Sequence, residues 1–272
     1  MIKNMSLKAY HATDGLSKSM MDKLNRSPAH LKAAMEESEK ETEVLLLGSA
    51  FHSLVLTPKK FEKEFAVAPI NIDRRTAIGK QQWADFMKGN EGKSVLTLEQ
   101  FNQIQVWADA VNKHPVASSY LKGRGRNEVS IFWTDSTTGE LCKARPDRIK
   151  DGYIIDLKTA ISAHPDDFQR KAYELGYHRQ AYWFSEGYEN EFGEEPKGFL
   201  FIVVEKTAPY NVAVYKADQF FTEAGGVECR KLLNTYKHCK ETNNWFGYDG
   251  EKPEIKPLEL PNYIISKYME EL

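Results

Sequence analysis

Lys143-Ala144-Arg145-Pro146-Asp147-Arg148-Ile149-Lys150-Asp151-Gly152-Tyr153-Ile154-Ile155-Asp156-Leu157-Lys158-Thr159 is the stretch on which the reading of this chain turns. Asp151-Gly152 stands between two runs of β-formers, and Asp-Gly in that setting is among the strongest short-range signals for a hairpin with a two-residue loop. With Asp151 and Gly152 as the loop, Lys150 pairs with Tyr153. Counting outward places Asp147 opposite Asp156 and Arg145 opposite Lys158. Opposed residues share a face, and alternation puts Lys158 on the face of Asp156. Two carboxylates and an amine are therefore expected to converge beside the apolar Tyr153-Ile154-Ile155.

Like charges directly opposed across a sheet, with Cβ atoms about 5 Å apart, are destabilising. A divalent cation removes that repulsion, and Mg²⁺ prefers carboxylate and carbonyl oxygens with retained waters. A charged Asp and Lys inside an apolar strand are otherwise costly. The plainer alternative is two surface ion pairs, Asp147 with Arg148 and Asp156 with Lys158, on a half-exposed hairpin.

Outward from the hairpin, apolar periodicity predicts an α/β fold. Residues 1–60 read as helical: Asp14-Gly15-Leu16-Ser17 offers a cap and Pro28 a restart. The acidic run 36–43 reads as a solvated face or loop. The nearly all-apolar run 44–56 reads as a buried helix that Pro58 ends. Residues 70–95 are polar, carry the turn Gly89-Asn90-Glu91-Gly92, and are expected to be the most mobile segment, ahead of a helix over 98–112. Strands are expected at 128–133, 141–149, 153–159, 199–205 and 211–216, and helices at 166–189 and 219–240. A Pro-punctuated tail follows from Gly250. The expectation is one domain over 1–272: a mainly helical part at 1–115, an α/β core at 120–240 that carries the chemistry, and a tail at 250–272.

The 272 residues are ample for a hydrophobic core, with 41% hydrophobic and 28% charged residues. The net charge of -2 excludes nucleic-acid binding by a global positive field, so a DNA partner would need a local basic track and bound metal. Three cysteines, Cys142, Cys229 and Cys239, form no CxxC and are too few for a disulfide framework or a four-thiolate cluster. No apolar run is long enough for a membrane span, and residues 1–10 lack a signal-peptide core. A cytoplasmic location without membrane association is the expectation.

Pro146-Asp147, eight intervening residues, then Asp156-Leu157-Lys158 resembles the PD-(D/E)xK nuclease motif, with Asp in place of the more frequent Glu. The wider pattern is similar to the RecB-type branch, and within it to the RecE-like (exonuclease VIII) recombination exonucleases of phages and prophages. Its further matches are Leu16-Ser17-Lys18-Ser19 with Pro28 downstream, Gly48-Ser49-Ala50-Phe51-His52, and Tyr177-His178-Arg179-Gln180-Ala181-Tyr182-Trp183. The resemblance runs from about residue 15 to 190. It implies a restriction-endonuclease-like core: a mixed central sheet flanked by helices, preceded by a helical region. It also implies a Mg²⁺-dependent exonuclease, Mn²⁺ substituting, without an iron–sulfur cluster. Such an enzyme would act 5′→3′ on double-stranded DNA ends, as a ring-shaped trimer or tetramer serving a RecT-like annealing protein. An endonuclease of the same fold, a CRISPR-associated relative and a non-catalytic binding module are the rival readings.

On this resemblance Asp147, Asp156 and the Leu157 carbonyl hold metal, and His52 is a further ligand. Lys158 orients or deprotonates the attacking water, and its own pKa is expected to fall through compression against cations. Related nucleases place a Glu where Glu128 stands, which makes it a further acidic residue at the site and a candidate metal ligand; the plainer reading pairs it with Arg126. Gln180, on the stripe Tyr173, Tyr177, Gln180, Phe184, becomes an active-site or DNA-backbone contact. Gly176 marks either that helix's true start or a kink. Arg124 and Arg126, interleaved with glycines, and Arg74 and Arg75 are candidate phosphate contacts, with Tyr177 beside them. Arg26 is a candidate for a terminal phosphate.

Overall fold

Four prolines at first helical positions and a series of Ser, Thr and Asp caps divide the chain into its helices. The structure, a computed structural model, describes residues 2–3, 5–37 and 42–269. Strand β1 (Ile2–Lys3) precedes α1 (Leu7–Ala12), α2 (Lys18–Arg26) and α3 (Pro28–Glu36). Ser17 caps α2 by accepting from the Met20 amide, and Pro28 opens α3, as the sequence suggests. The middle of the acidic run, 38–41, lies outside the described residues. Helix α4 (Glu43–Leu56) buries only its second half: Ala50, Phe51, Ser53 and Leu56 are inside, while Val44 and Leu45 are exposed.

After α5 (Pro58–Glu64) and β2 (Phe65–Val67), the segment read as mobile holds α6 (Ala77–Gly89), capped by Thr76 at the Gly79 amide. Its sequence hid it because Gly79 is its one buried residue, so no apolar stripe marks a core face. β3 (Ser94–Leu96) pairs in parallel with β2. A capping box at Thr97 and Gln100 then opens α7 (Leu98–Lys113), and α8 (Pro115–Leu121) follows.

The strands come next: β4 (Arg126–Asn127), β5 (Ser130–Thr134), β6 (Leu141–Ala144), β7 (Arg148–Lys150) and β8 (Tyr153–Ala160). The single strand expected at 141–149 is thus broken at 145–147. α9 (Pro165–Glu174) and α10 (Tyr177–Phe192) replace the one helix expected at 166–189. Gly176 separates them at φ +66°, a left-handed conformation that favours glycine. Tyr173 therefore lies on α9 and is off the predicted stripe. β9 (Gly198–Glu205), β10 (Val212–Lys216), α11 (Gln219–Thr242) and α12 (Asn262–Tyr268) complete the described chain.

A five-stranded mixed sheet, in the order β10-β9-β8-β7-β4, forms the centre. β8 and β9 are parallel; the other pairs are antiparallel. A three-stranded sheet, β1-β5-β6, lies apart from it. Both faces of the parallel pair are covered, as parallel strands require. Ile154, Phe199, Phe201 and Val203 pack with Met21, Leu24, Phe168, Trp183 and Leu233 on one side. Ile155, Leu157, Leu200, Ile202 and Val204 pack with Phe51, Leu56, Ile104, Trp107 and Val111 on the other. Asp156 and Lys158 share the parity of Ile154 and so face α9 and α10.

Candidate active site

The predicted turn forms, with Asp151 and Gly152 at positive φ, and the first pairs follow the predicted register: Lys150 with Tyr153, Ile149 with Ile154, Arg148 with Ile155. The ladder stops there. Asp147 is not a cross-strand partner of Asp156, and Arg145 is not opposite Lys158. The cause lies in Pro146. The register would place it across from Leu157, but proline has no N–H to give. The chain bends away, and the Asp147 carboxylate folds back so that Oδ2 accepts the Leu157 amide at 2.8 Å. β8 pairs with β9 along all eight residues but with β7 along only three, so its edge is open from Asp156 onward. A strand residue's N–H and C=O point the same way, so the Leu157 carbonyl faces that open edge.

The two helices beside the edge supply the rest. From α4, His52 Nδ1 lies 3.2 Å from Asp147 Oδ1. From α10, Gln180 is 6% exposed, accepts through Oε1 from Lys158 Nζ at 3.1 Å and donates through Nε2 to Asp156 Oδ1 at 2.6 Å. The chemistry fixes that amide's orientation, since an ammonium only donates and a carboxylate only accepts. Lys158 Nζ lies 2.6 Å from Asp156 Oδ2 and 4.5 Å from the centre of the Tyr177 ring. Tyr177 in turn stacks on Phe201, the strand partner of Asp156.

Burial and mutual charge set the protonation states. Burial alone would raise Asp147, but the charge and hydrogen bond of His52, with Lys158 and the Leu157 amide, hold it below the usual carboxylate range. Asp156 is 2% exposed; burial and the Asp147 charge raise it, against the pull of Lys158. Burial would lower His52, and Asp147 more than offsets this, leaving it raised. Lys158 is raised too: burial would lower it, but Asp156 and Asp147 outweigh burial. That direction belongs to a site whose ammonium faces two carboxylates; the fall expected from the sequence concerns a site where cations face it.

Among the described residues no three His, Cys, Asp or Glu side chains form a ready cage. Asp147 is closed onto His52 and Leu157, and Asp156 onto Lys158 and Gln180. Asp156 Oδ2 is buried with the Lys158 ammonium against it at 2.6 Å. Two carboxylates, a carbonyl at the open edge and an imidazole make an oxygen-rich set that fits Mg²⁺ or Mn²⁺.

The outlying candidates sit differently. Glu128, at φ +50°, precedes β5 rather than opening a strand. Its amide donates to the Asp147 carbonyl, while its carboxylate is bonded to Lys60 at 2.5 Å and faces Arg145 at 3.6 Å, not Arg126. Arg126 lies over the Phe192 ring, twelve residues along α10 from Gln180, or about 18 Å at the helical rise. Arg124 is exposed in the loop before β4. Arg74 covers Trp83, and Arg75 holds Asp73 in a two-pronged pair. Arg26, at the far end of α2, donates to the Tyr248 hydroxyl at 3.0 Å. The end of α2 nearer the site presents Lys18, whose Nζ lies 5.7 Å from the Tyr177 ring. Sequence reasoning quoted Lys18 within a motif without giving it a role.

Residues 17–255 match the model of a family described as a PDDEXK-like domain of unknown function (DUF3799). The chain belongs to this PDDEXK-like family. Pro146-Asp147 and Asp156-Leu157-Lys158, the residues that resemble the PD-(D/E)xK motif, lie together at one strand edge. The fold also matches the crystal structure of a protein from Eubacterium rectale whose exonuclease assignment is itself provisional: 13% identity, TM-score 0.59, covering 98% of this chain and 99% of that one. At that identity the match speaks for the PDDEXK nuclease-like fold alone. No curated protein matches the chain. Among the described residues no helix is long and apolar enough to cross a membrane. Its cysteines are buried, and burial pushes the thiols of Cys142 and Cys229 up to about 12.

Proposed function

We propose that this chain is a divalent-metal-dependent DNA nuclease that cuts phosphodiester bonds at the open edge of β8, with Mg²⁺ the natural ion and Mn²⁺ a substitute. One observation carries the reading: Asp147 from the break before β7, Asp156 and Lys158 from β8, Gln180 from α10 and His52 from α4 meet where the β7–β8 ladder ends. Asp147, Asp156 and the Leu157 carbonyl are the ligands on this reading, with His52 beside them. When bound there, the cation supplies Lewis acidity, lowering the pKa of a bound water and offsetting charge on the reacting phosphate.

The protein's own part is positional and electrostatic. Lys158, held against Asp156 and beside Gln180, orients or helps deprotonate the attacking water and stabilises charge on the phosphate. Gln180 grips Asp156 and Lys158 at once, which fixes both rotamers before substrate arrives. Tyr177 covers one side of the ammonium and keeps water from it. Glu128 buttresses the site through its amide on the Asp147 carbonyl. Arg124 and Arg126, with Arg74 and Arg75 further out, are assigned to the DNA backbone.

The finer reading is an exonuclease that degrades 5′ ends of duplex DNA and leaves 3′ single strands for an annealing partner, working as a closed ring in the cytoplasm. It rests on the RecE-like motif order. Linear duplexes labelled at the 5′ or the 3′ terminus, and closed circular duplex, each incubated with Mg²⁺ with and without EDTA, test it. Early release of the 5′ label, survival of the circle and a block by EDTA are expected. Cutting of the circle makes it an endonuclease, and intact DNA in every arm overturns the nuclease reading.

A further inference from the structure

Gln180 can bridge Asp156 and Lys158 only if the first turn of α10 is held at one height over β8, and that turn follows an elbow at Leu175–Gly176 with no side-chain cap. The elbow is locked from outside. Arg179, adjacent to Gln180 and 7% exposed, turns its guanidinium back beneath the elbow. Nη1 donates to Glu228 Oε2 of α11 at 2.5 Å, and Nη2 to Asp22 Oδ1 of α2 at 3.1 Å. Asp22 Oδ2 pairs with Lys18 Nζ at 2.7 Å, and Lys18 donates to the Leu175 carbonyl at 3.0 Å. The chain Leu175, Lys18, Asp22, Arg179 therefore closes on the elbow it supports. Two glycines complete the fit. A Cβ at Gly176 would lie 2.1 Å from Arg179 Nη2, and one at Gly225 of α11 would lie 2.0 Å from the His178 carbonyl. A side chain at Gly225 could fit only by moving the α10 backbone, and one at Gly176 only by displacing the Arg179 guanidinium from its place under the elbow.

Burying the Arg179 guanidinium costs desolvation, and its half-exposed partners Asp22 and Glu228 return only part of it, so the network is weak evidence of a stabilising role. Its placement favours a different one. We propose that Arg179, braced by Asp22, Lys18 and Glu228, is a positioning residue: it sets the α9–α10 elbow and thereby the Gln180 amide between Asp156 and Lys158, without itself touching substrate. The inference rests on the nuclease reading of the site only for its kinetic consequence.

The test uses Arg179→Lys, which keeps the charge but loses the planar two-pronged donor. With Gln side chains ¹⁵N-labelled and neither metal nor DNA present, the Gln180 amide signal is expected to shift and exchange faster with solvent. The Trp183 indole, which donates to the Lys143 carbonyl one turn further on, should stay in place. Asp22→Asn is the second variant, to be used where Arg179→Lys fails to fold. In DNA cleavage kcat should fall on the order of 10- to 100-fold with KM little changed, as displacement by about 1 Å does. In a Gln180→Ala background the same change should cost nothing further. A Gln180 signal that stays put, or a kcat loss that repeats in full without Gln180, overturns the inference. A parent chain that cleaves no DNA, with a Gln180 signal that does move, instead sinks the nuclease reading and leaves the positioning intact.

Discussion

Asp147 takes through its side chain the hydrogen bond that a continuing strand would have given Leu157: Oδ2 accepts from the Leu157 amide at 2.8 Å. One carboxylate thus ends the β7–β8 ladder and faces the same edge as the Leu157 carbonyl. Structure and chemistry are separable here by substitution. Asp147→Ala strands a buried amide and should lower unfolding free energy by about 1.5–3 kcal/mol, whereas Asp147→Asn keeps an acceptor and should lose less. Both should abolish cleavage. Urea denaturation beside a nuclease assay checks the pair, and equal stability losses would contradict the substitution of side chain for strand.

Gly176 offers a contrast with Gly193, since both have φ near +70° but only Gly176 is crowded. Alanine at Gly193 meets open space and should cost only the backbone strain, about 1 kcal/mol. Alanine at Gly176 collides with Arg179 and should cost at least twice that while reducing kcat. Thermal melts of both variants decide it.

Asp135 gives the fold a pH dependence away from the site. It accepts from the Thr138 amide at 2.7 Å and hydroxyl at 2.6 Å, and from Arg230, which also holds Glu186 of α10. Burial alone would raise its pKa, but these donors hold it below the usual value. A carboxyl depressed in the folded state stabilises above its unfolded pKa, about 3.9, and loses that contribution as pH falls through the folded value. Asp135→Asn should therefore cost about 2 kcal/mol near neutral pH, and the gap to the parent should close below about pH 4. A gap that stays constant down to pH 3 would contradict this.

Duplex affinity should report on the basic residues unequally. Arg124→Ala should weaken binding alike for all sequences and reduce the salt slope by about 1. Arg75→Ala should reduce that slope by less than Arg124→Ala does, because its guanidinium is already shared with Asp73. Binding measured over a range of salt concentrations tests both.

What the sequence disclosed and what it hid have physical reasons. Asp-Gly specified the turn, and the register held for three pairs because nothing local opposed it. It failed at Asp147 because counting treats every residue as able to pair, whereas Pro146 cannot donate. The signal was in the quoted stretch. Gly176 was legible as a start or a kink, and its φ resolves it as the start of α10. α6 went unread because its environment is solvent, so no stripe betrays it. The lock of Asp22, Arg179 and Glu228 could not be read, since its members are 157 and 49 residues apart and only the packing of α2, α10 and α11 joins them.

If the open edge of β8 is a divalent-cation site, a crystal soaked in Mn²⁺ and measured at the manganese absorption edge should show it. An anomalous peak is expected between Asp147, Asp156 and the Leu157 carbonyl, with Asp147 released from His52 or His52 itself joined to the ion. Carboxylates still closed on His52 and Gln180, with no peak between them, would contradict it.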